Sequence, residues 1–260
     1  MIGAIIGDIV GSRFEFENIK TKDFELFHKD CCFTDDTVMT CAVAEALMRS
    51  DGNLGETAVK VMHEVGRRHP YCGYGGMFFQ WMFSNNPKPY YSFGNGAAMR
   101  ISPVGDYVKT IAEAKMISKA VTEITHNHPE GLKGAECIAV MNVLAKKEKE
   151  KAILKEWMKR WYELPYSVDE YREMSKGHGV ETCMVSIPQA LTCFLEGKDF
   201  EDVIRNCISI GGDCDTTGAI AGGLAEAYFG VPEWMKKEAM NYLTDDLADI
   251  VERFEKFIGE

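Results

Sequence analysis

Two short segments of the 260-residue chain carry the residue types that bind cations. Thr34-Asp35-Asp36-Thr37 precedes a run of helical periodicity, and Gly211-Gly212-Asp213-Cys214-Asp215-Thr216-Thr217-Gly218 opens a second, small-residue run far downstream. Taken singly, either is a good helix start, because Thr and Asp cap helix N-termini and carboxylates in a first turn suit the helix dipole. Taken together they offer four aspartates and two threonine hydroxyls, Thr34 and Thr216, to a space that two facing helix starts would share. Oxygen-only donors of that kind match Mg²⁺ or Mn²⁺ and match zinc poorly. Four carboxylates packed without cations repel one another, and two divalent ions neutralise them. The helix dipole opposes a cation at an N-terminus by about 0.3 to 1 kcal/mol. Each carboxylate at contact offers about 4 kcal/mol of attraction even at an effective dielectric near 20, so the carboxylates win.

A third segment, Gly7-Asp8-Ile9-Val10-Gly11-Ser12-Arg13-Phe14-Glu15, adds a glutamate suited to acid/base work. Glycine at Gly3, Gly7 and Gly11 forms one small-residue stripe at helical spacing, which predicts a helix packed closely on a neighbour. Gly218, Gly222 and Gly223 predict the same for the helix that follows Asp213.

The elements that must position these groups read as helices. Apolar residues recur at spacings of three and four from Val38 to Leu47, in Ile111 to Val121 and in Cys137 to Ala145. Two further helices are predicted, over Ala219 to Tyr228 and from Pro232 to Ile258. Glycine and proline punctuate the chain at Gly52 to Gly55, Gly73 to Gly76, Asn85 to Pro89, Gly94 to Gly96, His128 to Gly131 and Gly211 to Gly212. The charged run Lys146 to Lys151 reads as the end of one helix and the start of the next. Alternating β-branched runs hardly occur, so the expected fold is all-α, a compact orthogonal helical bundle formed as one domain over residues 1–260.

Composition bounds the rest. Hydrophobic residues make up 46% of the chain and charged residues 27%, enough apolar surface to bury a core. The net charge of -11, from 40 acidic against 29 basic residues, disfavours non-specific binding to nucleic acid or to an anionic membrane surface. Nine cysteines with no CxxC spacing predict reduced, mostly buried thiols. The apolar start of the chain lacks a basic leader region and is interrupted by Asp8, and no uncharged apolar run reaches the roughly 18 residues of a membrane span. A cytoplasmic location is expected.

In order along the chain, GDIVGSRFE from Gly7, FTDDT from Phe33, GYGG from Gly73, GNGAAMR from Gly94, Thr125-His126 and GGDCDTTGAIAGGLAEAYFG from Gly211 resemble the ADP-ribosylglycohydrolase family nearly end to end. That resemblance implies an all-α bundle with a central site for two Mg²⁺ or Mn²⁺ ions. It also implies hydrolysis of the N- or O-glycosidic bond between ADP-ribose and an acceptor, an ADP-ribosylated protein side chain foremost, so that mono-ADP-ribosylation is reversed and ADP-ribose released. By position, Thr34, Asp35 and Asp36 resemble one ligand group and Asp213, Asp215 and Thr216 the other. Glu15 falls on the family's catalytic or water-positioning glutamate, with Glu17 the weaker candidate. Gly94, Asn95, Gly96 and Ala97 resemble the loop that holds the diphosphate through backbone N–H groups. His126 matches a histidine near ADP-ribose, and Gly75 and Gly76 join the substrate side.

Arginine, serine, another guanidine or a modified base are all compatible acceptors, and a monomer is expected. Glu17, Asn18, Arg67, His69, Tyr71 and Tyr74 are candidates for the acceptor region. Tyr90, Tyr91 and Phe93 are candidates for stacking on adenine or for ordinary packing. A family member that had lost catalysis and served as an ADP-ribose-binding or structural protein is the alternative, and intact Glu15 and four aspartates argue against it. A His-Asp metal phosphohydrolase is excluded because no such pair occurs. A DDxxD terpenoid synthase is excluded because Met39 stands where the last carboxylate belongs.

Overall fold

The first helix, α1 (Ile2–Ser12), is apolar on nearly every side and is buried along almost its whole length, so it occupies the interior. The computed structural model describes residues 1–174 and 181–259. The helices that follow are α2 (Asp35–Arg49), α3 (Leu54–Arg68), α4 (Gly76–Phe83), α5 (Gly96–Met99), α6 (Ser102–Tyr107), α7 (Ile111–Thr122), α8 (Pro129–Lys147), α9 (Lys151–Met158), α10 (Val168–Glu173), α11 (Cys183–Glu196), α12 (Phe200–Ile210), α13 (Cys214–Phe229), α14 (Glu233–Met240) and α15 (Asp245–Gly259). The only β-type pairing among the described residues is an isolated bridge between Gly94 and Thr182. The all-α expectation holds.

The bundle is organised about α13, which packs against α1, α8, α11 and α12. Its closest partner is α1, and the contact depends on glycine. A Cβ added to Gly7 would land on the Gly218 carbonyl, one on Gly3 would strike the Gly222 carbonyl, and one on Gly11 would strike the backbone of Asp215. Gly218 and Gly222 of the second stripe therefore meet the first stripe in one interface, whereas Gly223 faces Ser102 of α6. The third contact governs function, since it brings the C-terminal end of α1 onto the first turn of α13.

Individual helices follow their local sequence. Thr110 and Glu113 form a reciprocal capping box at the start of α7, and Asn53 and Asp199 cap α3 and α12 through their side chains. The run Lys146 to Lys151 does separate α8 from α9. Three expectations need correction. His128 to Gly131 is not a break, because His128 caps α8 and Pro129 and Gly131 lie within its first turns, where proline is tolerated. Gly55 likewise lies inside α3. The segment after Pro232 forms two helices, because the turn at 241–244 interrupts it and the hydroxyl of Thr244 meets Asp246 at the restart.

Seven of the nine cysteines are buried, with Cys72 half-buried and Cys32 exposed. No helix among the described residues is long and apolar enough to cross a membrane.

Candidate active site

Asp8 is the foundation of the site. It is fully buried in α1, where an isolated carboxylate would be costly, and every donor it needs comes from the Thr34–Thr37 segment. Its Oδ2 accepts from the backbone N–H of Thr34 (2.9 Å) and Thr37 (3.0 Å) and from the Thr37 hydroxyl (2.5 Å), and its Oδ1 accepts from the Thr34 hydroxyl (2.7 Å). Burial pushes the Asp8 carboxyl up, and the same hydrogen bonds pull it back. The first turn of α2 is thus pinned to α1. Thr34 also caps α2, accepting from the Asp36 N–H (3.2 Å).

The start of α13 is pinned in a similar way. Gly211 and Gly212 take φ of 72° and 78°, a region that favours glycine, and bend the chain from α12 into α13. Asn18 fixes the bend by accepting from the Gly212 N–H (2.8 Å) and donating to its carbonyl (3.0 Å). Asn95 donates to Asp213 Oδ2 (2.5 Å) and to Ser186 Oγ (2.8 Å). The two helix starts meet where the Thr216 hydroxyl donates to Asp36 Oδ2 (3.2 Å).

Around that meeting point lies a cavity of about 490 Å³, lined by Glu15, Thr34, Asp35, Asp36, Asp213, Asp215 and Thr216. Its lining also includes Gly75, Gly76, Tyr90, Gly94, Asn95, Gly96, Arg100, His126 and Glu181. Of the residues singled out in the sequence as ligands, catalyst or substrate contacts, Ala97 is the one that does not line it. Ala97 is buried behind the wall. Carboxylate oxygens of Glu15, Asp213 and Asp215 lie within 4.8 Å of one another.

Crowding of like charge is visible in the electrostatics. Burial first, and neighbouring carboxylates second, raise Asp35, Asp36 and Asp215 well above the usual carboxylate range. Glu15 is pushed up to about 7 by burial and by Asp213, Glu181 and Asp8. The residues fit a hard divalent cation on two further counts. Buried Oδ1 atoms of Asp36 and Asp215 have no hydrogen-bond partner among the described residues, and the donor set is all oxygen.

Three of the four backbone N–H groups of the Gly94–Ala97 segment are already engaged. Gly94 donates to Ser92 Oγ (3.1 Å), Asn95 to the Glu181 carbonyl (3.1 Å) and Ala97 to the Gly94 carbonyl (3.2 Å). The Gly96 N–H makes no such bond among the described residues. His126 is 5% exposed, and burial, aided by Arg100, holds its imidazole well below the usual range and hence neutral.

Sequence reasoning missed Asp8, Arg100 and Glu181. Asp8 was legible only as a charge inside an apolar helix, and Arg100 only as the last residue of a glycine motif. Glu181 arrives through the Gly94–Thr182 bridge, for which no local signal exists. Of the aromatic group, Tyr90 lines the cavity. Tyr91 and Phe93 are exposed and meet the ring of His128 edge-on. The acceptor-region candidates Glu17, Asn18, Arg67, His69, Tyr71 and Tyr74 do not line it. Asn18 holds the Gly212 bend, Arg67 bonds the Met82 carbonyl, His69 pairs with Asp246 and Tyr74 stacks on Phe78.

Comparison with known proteins gives a consistent result. The ADP-ribosylhydrolase ARH3 of Bos taurus is 24% identical over 333 residues, covering 97% of this chain and 91% of that protein. Its Homo sapiens counterpart is 24% identical, covering 97% and 92%. The ADP-ribosylarginine hydrolase Tri1 of Pseudomonas putida is 24% identical, covering 95% and 75%. A solved structure described as an ADP-ribosylglycohydrolase-related protein complex superposes with a TM-score of 0.70 at 20% identity, covering 98% of this chain and 96% of that one, and so shares the fold. A sequence model of ADP-ribosylglycohydrolase matches residues 1–259, and the chain therefore belongs to the ADP-ribosylglycohydrolase family of enzymes, hydrolases that act on the glycosidic bonds of ADP-ribose.

Proposed function

We propose that this protein removes ADP-ribose from ADP-ribosylated protein side chains, with Thr34, Asp35, Asp36, Asp213, Asp215 and Thr216 holding two Mg²⁺ or Mn²⁺ ions and Glu15 serving the attacking water. One observation carries the proposal. Two helix starts and Glu15 converge on a single cavity that is also lined by a glycine turn beside a neutral histidine. A volume of about 490 Å³ suits a nucleotide-sized ligand.

Hydrolysis breaks the bond between the anomeric carbon and the acceptor, whose atom leaves with the electron pair, while a water oxygen bonds to that carbon through an oxocarbenium-like state. Thr34, Asp35, Asp36, Asp213, Asp215 and Thr216 would hold divalent ions, which would supply fixed positive charge and Lewis acidity to the site. Glu15 sits at the edge of the cluster, half-buried, and orients the water and takes its proton. Asn95 keeps Asp213 oriented, and Asp8 keeps the first turn of α2 in place. Gly96 and His126 offer donors to the diphosphate, with Gly75 and Gly76 giving it room, since a Cβ at either would meet nothing within 4 Å.

The test is release of free ADP-ribose from peptides carrying ADP-ribosyl-arginine or ADP-ribosyl-serine, followed by chromatography with Mg²⁺ or Mn²⁺ and again with EDTA. Release that depends on the cation supports the reading. Absence of release from every ADP-ribosylated acceptor, with ADP-ribose still bound, would make the protein a binding module instead.

A further inference from the structure

Arg100 closes the glycine motif, yet the mechanism above gives it nothing to do. Its side chain is 0% exposed, and among the described residues no carboxylate lies within ion-pair distance of it. A guanidinium buried in that way is expensive to keep, and burial pushes it down to about 10. Arg100 Nη2 donates to Thr125 Oγ1 (2.7 Å), and Thr125 Oγ1 lies 2.8 Å from His126 Nδ1.

Proton counting leaves two arrangements of these bonds, and their lengths decide between them. A guanidinium only donates, so Thr125 Oγ1 is the acceptor towards Arg100. A hydroxyl has one proton of its own. It goes either to His126 Nδ1 at 2.8 Å or to the Thr122 carbonyl at 3.4 Å, and the shorter contact takes it. Nδ1 then accepts, and the single proton of a neutral imidazole sits on Nε2. That nitrogen faces the glycine turn: a Cβ built on Gly96 would lie 3.3 Å from it and one on Gly94 3.5 Å. The need is real, because Gly94, Asn95 and Ala97 have already spent their N–H groups within the protein.

We propose that Arg100 is a positioning residue that acts through Thr125 to fix His126 as an Nε2–H donor aimed at the anion-holding wall of the cavity. The identity of that anion, the diphosphate of ADP-ribose, rests on the function proposed above, whereas the proton placement does not. In the full chain labelled with ¹⁵N-histidine and free of ligand, nitrogen shifts should place the His126 proton on Nε2, with the signals assigned by their loss in His126→Gln. Thr125→Val should shift His126 towards a mixture of tautomers and weaken ADP-ribose binding by about fivefold in calorimetry, one net hydrogen bond's worth. Thr125→Ser should restore both. A wild-type proton on Nδ1, or Thr125→Val with unchanged tautomer and affinity, overturns the proposal. If Thr125→Val does not fold, the wild-type spectrum alone decides. A wild-type protein with the proton on Nε2 and no affinity for ADP-ribose sinks the substrate reading while supporting the proton relay.

Discussion

Thr34 grips Asp8 at both carboxylate oxygens, its N–H on Oδ2 at 2.9 Å and its hydroxyl on Oδ1 at 2.7 Å. A residue that touches none of the cavity thus fixes a residue that lines it. Asp8→Asn replaces one acceptor oxygen with a donor facing other donors. The expected cost is about 2 to 4 kcal/mol in denaturant unfolding, together with weaker Mn²⁺ binding in calorimetry. A variant as stable as the parent would show that the network does not hold the first turn of α2.

Glu15→Gln keeps the shape but removes the base. Turnover should fall by about 10² to 10⁴, with Mn²⁺ and ADP-ribose affinity close to that of the parent. Near-normal turnover would remove Glu15 from the reaction.

Asp36→Asn and Asp213→Asn each take one carboxylate from the cluster. In both, the rise in Tm given by Mg²⁺ or Mn²⁺ should shrink or vanish in thermal scans. An unchanged rise would place the ions elsewhere.

The pH dependence of the metal-free protein has an unusual sign. Asp35, Asp36 and Asp215 are raised well above 3.8 and Glu15 from 4.5 to about 7. The folded chain keeps protons that the unfolded chain has already released, so stability from these groups is full below their unfolded values and is lost as pH rises through the folded ones. Metal-free stability should decline from about pH 4 towards about pH 7, and the gain in Tm on adding Mn²⁺ should grow over that range. A gain independent of pH would contradict a cluster held protonated until cations replace the protons.

Glycine substitutions separate close packing from mere flexibility. Gly7→Ala drives a methyl into the Gly218 carbonyl and should cost at least about 2 kcal/mol. Gly55→Ala, inside α3 with its nearest neighbour at 3.6 Å, should be neutral or stabilising by about 0.5 to 1 kcal/mol. Chemical denaturation of the pair checks both.

Much of this arrangement was legible where local pattern and final structure agree. The stripes beginning at Val38 and Ile111 became α2 and α7, and the acid-rich starts at Thr34 and Asp213 both face the cavity. What escaped depended on partners distant in sequence. No reading of the sequence placed a helix over Cys183–Glu196, and Pro188 stands inside α11, beyond its first turn, at the loss of one backbone hydrogen bond. Asp8 gained its meaning only once four donors arrived from another helix. Asn95, expected to serve the diphosphate through its backbone N–H, also commits its side chain to Asp213 and Ser186, a tertiary contact that spacing cannot announce.

The docking of α1 on α13 also sets a schedule. Cys214 reaches the Gly11 carbonyl across 203 residues of chain, and the glycines that meet at this seam lie comparably far apart. During synthesis α1 leaves the ribosome long before α13 and, apolar on nearly all sides, lacks its mate until then. Loop closure over that span slows the joining of the two helices, and until it happens the exposed helix is a target for chaperones and for aggregation. The catalytic site cannot assemble before this seam closes.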